Sequence, residues 1–120
     1  MAKFINLSNH PSSKWSEEQI AAAKELVNGG EIVDMEFPRV PPDADEAAVS
    51  KLAERYLVRI HEIAGPRGAV VHLMGEMGFC SRVVRWLRED GYIVVYSTTE
   101  RVQDEAGRPV FRFVRFREYL

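Results

Sequence analysis

The chain has 120 residues, of which 46% are hydrophobic and 28% are charged, and its formal net charge is -2. These values are those of one globular domain with a single core, and they exclude a disordered chain and a general duplex-binding protein, which normally carries a strong basic excess. No apolar run approaches the ~20 residues of a membrane-spanning helix and no signal-peptide pattern opens the chain, so we expect one cytoplasmic domain, residues 1–120, that binds neither membrane nor duplex DNA.

The first segment, residues 3–19, predicts a strand, a polar loop and the start of a helix. Its apolar run is too short for a helix and suits a buried strand; it consists of Phe4, Ile5 and Leu7. The following loop offers hydroxyl, amide, imidazole and ammonium groups. Ser16 with Gln19 fits a capping box, which predicts that a helix begins there.

The rest of the chain repeats this order of apolar run and polar or glycine-containing turn. A helix is predicted over residues 16–28 and a strand over 31–37. A long helix follows, capped by Asp43 with Glu46 and ending at Gly65, and then a strand over 69–74. The last helix runs from the Gly75–Gly78 turn to Asp90 and is followed by a strand over 92–96. Residues 97–101 are predicted to be a loop. A hairpin then turns at residues 104–107, with a bulge near Val114 where the alternation of its second strand changes parity.

The element order β-α-β-α-β-α-β followed by a hairpin predicts a three-layer, Rossmann-like α/β domain with a mainly parallel sheet and a C-terminal antiparallel hairpin. Right-handed crossovers make 2-1-3-4 the simplest strand order. This order places the loop after the first strand beside the Gly75–Gly78 loop.

Ligands of open parallel sheets bind outside the carboxyl ends of the strands, at the point where the strand order reverses. Backbone N–H groups at helix N-termini favour phosphate there. The candidate ligand-binding residues in these loops are Ser8, Asn9, Ser13, Gly75, Glu76, Met77, Ser97, Thr98, Thr99 and Arg101. The serines could instead be helix caps, and the glycines could simply permit a tight turn.

His10 is the best candidate for a general acid or base, because imidazole titrates near neutral pH and the loop leaves it accessible. The alternative is a loop histidine bonded to the backbone. His72 is interpreted as a core histidine and Cys80, the single cysteine, as a buried thiol in a reducing compartment. Trp15 could stack on a base or pack against the sheet. Because the histidines and Cys80 show no metal-ligand spacing, we expect no metal and no cofactor.

Four segments together carry a resemblance to a known family: FINLSNHPSSKWSEEQ, EIVDMEFP, HLMGEMGF and YSTTERV. They resemble the small stand-alone proteins of type III CRISPR loci that are built on a CRISPR-associated Rossmann fold, or CARF-like domain. The resemblance spans most of the chain. It implies binding of a cyclic oligoadenylate second messenger, with cyclic tetra-adenylate favoured, across a two-fold homodimer interface. It also implies ring-nuclease activity, in which a ribose 2'-hydroxyl attacks the adjacent phosphate without a metal and the antiviral signal is switched off.

Under this resemblance His10, Ser12 and Lys14 are the expected catalytic residues. Ser12, Ser13 and Lys14 would hold the phosphate and His10 would transfer a proton, while Thr98, Thr99 and Arg101 would form a second phosphate clamp. Asn9 or Glu76 would contact adenine or ribose.

Three other functions stay open. The domain could capture a nucleotide without cutting it, it could be an enzyme that acts on a mononucleotide or nucleotide-sugar through the same loops, or it could be an interaction protein with an empty crevice.

Overall fold

The computed structural model describes all residues, 1–120. Its strands are β1 (Lys3–Ser8), β2 (Ile32–Glu36), β3 (Ala69–Leu73), β4 (Ile93–Gln103) and β5 (Pro109–Glu118), and its α-helices are α1 (Glu17–Leu26), α2 (Glu46–Ala64) and α3 (Met77–Glu89). Short 3-10 turns occupy Ser12–Lys14 and Gly65–Arg67. None of the helices combines the length and apolarity that crossing a membrane requires.

The five strands form one sheet in the order β2-β1-β3-β4-β5. β1 lies between β2 and β3 and is parallel to both, β3 and β4 are also parallel, and β4 and β5 are antiparallel. The predicted α/β class, the order 2-1-3-4 and the C-terminal hairpin are therefore confirmed. The reversal of strand order lies between β1 and β3, so the carboxyl ends of these strands lie side by side.

Alternating side chains of β1 divide the core between the two faces of the sheet. Ile5 and Leu7 belong to the larger apolar cluster, which α2 and α3 cover. Phe4 belongs to a smaller cluster with Ala23 and Val27 at the end of α1. The helices thus lie on both faces, as in the predicted three-layer arrangement.

The predicted helix start is right at α1 and two residues too early at α2. The Ser16 side chain accepts a hydrogen bond from the Gln19 backbone N–H, as predicted. At α2 the cap is Asp45, which accepts from the Ala48 N–H at 2.9 Å, so the prediction of Asp43 was wrong. Because α2 begins at Glu46, the residue directly before it is the one whose carboxylate reaches the free N–H groups of the first turn.

The prediction that the fourth strand ends at Tyr96 and is followed by a loop was also wrong. β4 runs on to Gln103 and pairs with β5 from Val95 to Gln103, whereas it pairs with β3 only from Ile93 to Val95. We call the part of this hairpin beyond the parallel sheet, residues 97–116, the hairpin arm. Polar residues 97–101 suit a strand here because the outer part of the arm is a two-stranded ribbon on which Thr99, Glu100 and Arg101 are exposed, while Phe116 at its base packs into the smaller apolar cluster. The predicted bulge is confirmed: Thr98 pairs with Arg115 and Thr99 with Phe113, which leaves Val114 as the extra residue.

Gly75, in the turn between β3 and α3, provides a test of packing. A Cβ atom at Gly75 would overlap the Phe37 ring, whereas one at Gly78 would lie 3.3 Å from the Glu76 carboxylate and 3.7 Å from the Arg82 guanidinium. Since Phe37 packs against the core phenylalanine Phe79 at 5.2 Å between ring centroids, it has little freedom to withdraw. Gly75 therefore leaves the space that the Phe37 ring occupies.

We predict that Gly75→Ala lowers the free energy of unfolding by about 1–3 kcal/mol, the usual cost of overpacking. Gly78→Ala is the matched control: its Cβ atom asks the Glu76 carboxylate, which caps α3, to shift by only a few tenths of an ångström, and it should lower stability by less than about 0.5 kcal/mol. Urea unfolding curves of the three proteins measure both values. Equal midpoints for Gly75→Ala and the parent protein would contradict the packing argument.

Candidate functional site

Three polar side chains are buried, and all three lie near the carboxyl ends of central strands. Asn6, Ser8 and His72 are 1%, 7% and 2% exposed. They point to the α1 face of the sheet, because they alternate along β1 and β3 with apolar residues that face α2 and α3. Buried polar groups need hydrogen-bond partners, so the arrangement around them is closely determined.

The Asn6 side-chain amide is the centre of this network. Its Nδ2 donates to the backbone oxygen of His10 at 2.9 Å and to Asp34 Oδ1 at 2.8 Å. Both partners are pure acceptors, so the amide can have only this orientation. Asn6 Oδ1 consequently faces Ser8 Oγ and His72 Nδ1, each at 2.8 Å.

This orientation of Asn6 fixes the tautomer of His72. An amide oxygen only accepts hydrogen bonds, so the proton of the neutral imidazole lies on Nδ1. Nε2 is then an acceptor, and it lies 3.3 Å from Ser97 Oγ. The Ser97 hydroxyl can donate either to Nε2 or to Met74 Sδ, which lies at 3.0 Å.

Aromatic rings enclose the His72 imidazole. Trp15 and Phe116 meet it edge to face, with centroids at 5.4 and 5.3 Å, and Phe4 stacks on it at 6.2 Å. Burial in this setting, together with repulsion from His10, lowers the pKa of His72 to about 4. His72 is therefore neutral at physiological pH. The interpretation of His72 as a satisfied core histidine is confirmed, and Trp15 packs against the sheet.

Asp34, at the end of β2, holds the loop that follows β1. Its Oδ1 accepts from Asn6 and from the backbone N–H of Ser12 at 3.0 Å, and its Oδ2 accepts from Ser12 Oγ at 2.7 Å. Partial burial alone would raise the pKa of Asp34, but the hydrogen bonds from Asn6 and Ser12 outweigh it and lower the pKa. Trp15 Nε1 also donates to the His10 oxygen, at 3.1 Å. The backbone of the loop is thus fixed by Asn6, Asp34 and Trp15.

A cleft of about 530 Å³ opens beside this network, between the loop after β1, the turn after β3 and the hairpin arm. Seven of the predicted site residues line it: Ser8, Asn9, His10, Lys14, Gly75, Ser97 and Thr99. Six lining residues were not among them: Trp15, Gln19, His72, Met74, Phe111 and Phe113. The cleft therefore combines the Lys14 ammonium, the His10 imidazole, hydroxyl groups and aromatic rings with the neutral His72.

The structure places the other predicted residues elsewhere. Ser12 directs its hydroxyl to Asp34, Ser13 is exposed on the 3-10 turn, and Glu76 caps α3 by accepting from the Phe79 N–H at 2.7 Å. Thr98 Oγ1 donates to the Arg115 backbone oxygen across the hairpin, at 3.1 Å. Arg101 lines a separate depression farther out on the arm, with Val102 and Gln103.

The largest cavity, about 740 Å³, lies on the other face of the sheet, between α3 and the end of β5. Met77 lines this cavity, together with Val84, Tyr96 and Tyr119. Its walls are mostly apolar. Because it holds no histidine or carboxylate that could transfer a proton, the smaller polar cleft is the better candidate for chemistry.

Cys80 is free and buried at the edge of this second cavity. Burial, with a contribution from the nearby Glu76 carboxylate, raises the pKa of its thiol to about 12. The thiol therefore stays protonated at neutral pH, as the interpretation of a structural cysteine requires. Histidine, cysteine and acidic side chains do not gather in groups of three or more that could hold a metal ion.

Sequence reasoning missed Asn6 and Asp34 and gave His72 no part in the site. Asn6 stands inside the apolar run of β1, and His72 stands inside that of β3. A polar side chain in a strand that is covered on both faces needs a buried partner, so each was a signal that another polar group lies near. The partners are identified only by the pairing of the strands, in which Asn6 of β1 lies opposite Asp34 of β2 on one side and His72 of β3 on the other.

The low pKa of His72 predicts a dependence of stability on pH. The unfolded chain takes up a proton on this histidine near pH 6.5 and the folded chain near pH 4, so stabilisation is complete above pH 6.5 and is lost as the pH falls toward 4. The loss should amount to about 3 kcal/mol, at 1.36 kcal/mol per pKa unit. His72→Gln should flatten this part of a plot of unfolding free energy against pH, obtained from urea titrations.

His61→Gln is the control, since His61 is half exposed beside Asp90 and Tyr92 on the surface of α2. The control protein should keep the loss of stability between pH 6.5 and 4. A His72→Gln protein that keeps the full loss would show that another group is responsible.

The comparisons with known proteins identify a family but no activity. No curated protein matches the sequence. A family model described as "Uncharacterized protein MJ1673 family" matches residues 2–117, which includes every strand of the sheet except the last residue of β5, and all residues of the cleft. The chain belongs to the MJ1673 family.

Proposed function

We propose that the protein binds a cyclic oligoadenylate second messenger, with cyclic tetra-adenylate favoured, and opens its ring as a metal-independent ring nuclease. The observation that carries the proposal is the convergence of His10, Lys14 and the neutral His72 on one cleft at the reversal of strand order. An anionic ligand needs the cation, and transfer of a ribose proton needs an imidazole. The aromatic residues of the cleft offer faces against which adenine can stack.

The reaction needs little beyond positioning and proton transfer. The ribose 2'-hydroxyl has to lie in line with the phosphorus and the leaving 5'-oxygen, so a rigid cleft supplies much of the rate. Lys14 is suited to hold the phosphate and to stabilise the charge that develops on it. His10 is suited to protonate the leaving oxygen, because its side chain is exposed while its backbone is fixed by Asn6 and Trp15.

A two-fold homodimer fits this ligand. Cyclic tetra-adenylate has two-fold symmetry, and a symmetric dimer presents each loop twice. A cleft of about 530 Å³ has the size of a site for a single small ligand, so a ring of four nucleotides calls for two such clefts side by side. The hairpin arm borders the cleft and exposes apolar side chains, with Phe111 75% and Val114 52% exposed.

In this proposal the protein acts in the cytoplasm, where cleavage of the messenger switches off CRISPR antiviral signalling. Binding without cleavage would make the protein a sequestering module of the same fold. The assay below distinguishes the two outcomes.

Purified protein incubated with radiolabelled cyclic tetra-adenylate in EDTA should convert it to a linear product. Lys14→Ala and His10→Ala should each lower the single-turnover rate about 100-fold or more, the usual contribution of one proton-transfer or charge-stabilising group. Lys51→Ala is the charge-matched control on α2, which covers the opposite face of the sheet, and it should cleave at the parent rate. Tight retention of an intact ring would eliminate the nuclease and leave the binding module.

The proposed dimer predicts a mass of twice the chain in light scattering coupled to size-exclusion chromatography. Phe111→Ser should shift the protein toward the monomer, since it removes an exposed aromatic anchor from the arm. Val58→Ser, at a residue that is 58% exposed on α2, is the control and should leave the mass unchanged. A parent protein that stays monomeric at the concentrations of the cleavage assay would overturn the paired-cleft arrangement.

A further inference from the structure

The chain of hydrogen bonds that ends at Ser97 does more than hold the fold together. Asp34 orients Asn6, Asn6 fixes the proton of His72 on Nδ1, and His72 turns its Nε2 acceptor toward the Ser97 hydroxyl. Ser97 and His72 both line the cleft. A hydroxyl beside an imidazole that a third group orients is the arrangement by which proteins activate hydroxyl groups.

Structural stability alone does not require this arrangement. Asn6 and Ser8 would be satisfied by each other, by Asp34 and by the loop backbone. His72 is buried among aromatic rings, and its Nε2 meets only Ser97, at the long distance of 3.3 Å. Met74 Sδ is a weak acceptor that competes for the same hydroxyl proton, so the Ser97 hydroxyl is not firmly committed to either partner.

We propose that Ser97 and His72 form a proton relay that serves as the general base of the cleft, with Asn6 and Asp34 as positioning residues. This inference rests on the proposed function. It assigns Ser97 as the catalytic residue that touches the ligand, and it leaves His10 as the acid.

Each proton that moves in the proposed cleavage step has a donor and an acceptor. The 2'-hydroxyl of the ligand gives its proton to Ser97 Oγ, while Ser97 Oγ passes its own proton to His72 Nε2. The 2'-oxygen forms a bond to phosphorus and the bond from phosphorus to the 5'-oxygen breaks, which leaves a 2',3'-cyclic phosphate. The 5'-oxygen takes a proton from the His10 imidazolium. The groups are restored when His72 returns its extra proton to solvent through Ser97 and His10 takes up a proton from solvent. The transient imidazolium is stabilised by Asn6 Oδ1, whose amide is bonded to the Asp34 carboxylate.

Two histidines in different environments suit these opposite roles. His72 is buried, and its contact with Asn6 through Nδ1 leaves Nε2 as the nitrogen that faces Ser97, whereas His10 is exposed on its loop. The buried imidazole is thus placed to take the proton from Ser97, and the exposed imidazole is placed to reach the leaving oxygen.

Single-turnover cleavage of cyclic tetra-adenylate tests the catalytic part of the relay. Ser97→Ala should lower the rate about 100-fold or more and change the ligand dissociation constant by less than about threefold. Ser97→Thr keeps a hydroxyl and a residue suited to a strand, and it should recover at least about a tenth of the parent rate. Ser81→Ala, at an exposed serine on α3, is the matched control and should leave the rate unchanged. Parent-like cleavage by Ser97→Ala would overturn the relay.

The tautomer of His72 tests the positioning part in the ligand-free protein. Long-range proton–nitrogen correlation spectra should show the proton of His72 on Nδ1 in the parent protein. Asp34→Asn replaces one of the two acceptors that orient the Asn6 amide by a group that can donate, and leaves only the His10 backbone oxygen to hold the amide in place. The amide should therefore turn over in a detectable fraction of molecules, and in that fraction the proton of His72 should lie on Nε2. The same variant should cleave at least about tenfold more slowly. A parent protein with the proton on Nε2 would overturn the proposal.

The two measurements separate this inference from the function on which it rests. A parent protein that leaves the ring intact ends the ring-nuclease proposal, whatever the spectra show. A parent protein that cleaves, together with Ser97→Ala at the parent rate, keeps the function and removes the relay.

Discussion

The structure around the cleft depends on one side chain, the amide of Asn6, which lies inside the most buried strand of the sheet. A polar group in that position costs free energy unless all of its hydrogen-bonding groups have partners. The partners come from three separate parts of the chain: Asp34 on β2, His72 on β3 and the backbone of His10 in the loop after β1. Satisfying one amide therefore joins three segments at the carboxyl edge of the sheet.

This requirement explains why the two faces of the sheet differ. The face toward α2 and α3 holds the large apolar cluster and only an apolar cavity. On the face toward α1, the small apolar cluster gives way to the polar network at the strand ends. Because α1 begins only after the 3-10 turn, it leaves those ends uncovered, and the polar cleft forms there.

The hairpin arm completes the cleft. After Val95, β4 loses its pairing with β3 and continues with β5 alone, so the ribbon extends past the edge at which the parallel strands stop. The extra residue at Val114 changes which side chains of β5 face the cleft, and Phe113 and Phe111 line it as a result. The arm thus supplies the aromatic wall opposite the loop after β1.

The sequence by itself determined the class and order of the fold. The alternation of short apolar runs with amphipathic helices, read with the right-handed crossover rule, led to the strand order and to the carboxyl edge as the ligand side, and seven of the predicted residues line the cleft there. These features are local or follow from general rules of chain connection, which is why they can be read from the chain.

Only the tertiary structure decided which polar residues act together. Asn6, Asp34 and His72 are far apart in the chain and meet through strand register, which no local pattern encodes. In the same way, residues 97–101 contain polar side chains typical of a loop, and pairing with β5 makes them a strand. The physical reason is common to both cases: a buried hydrogen bond or a strand pair gains its free energy from a partner that the neighbouring sequence does not contain.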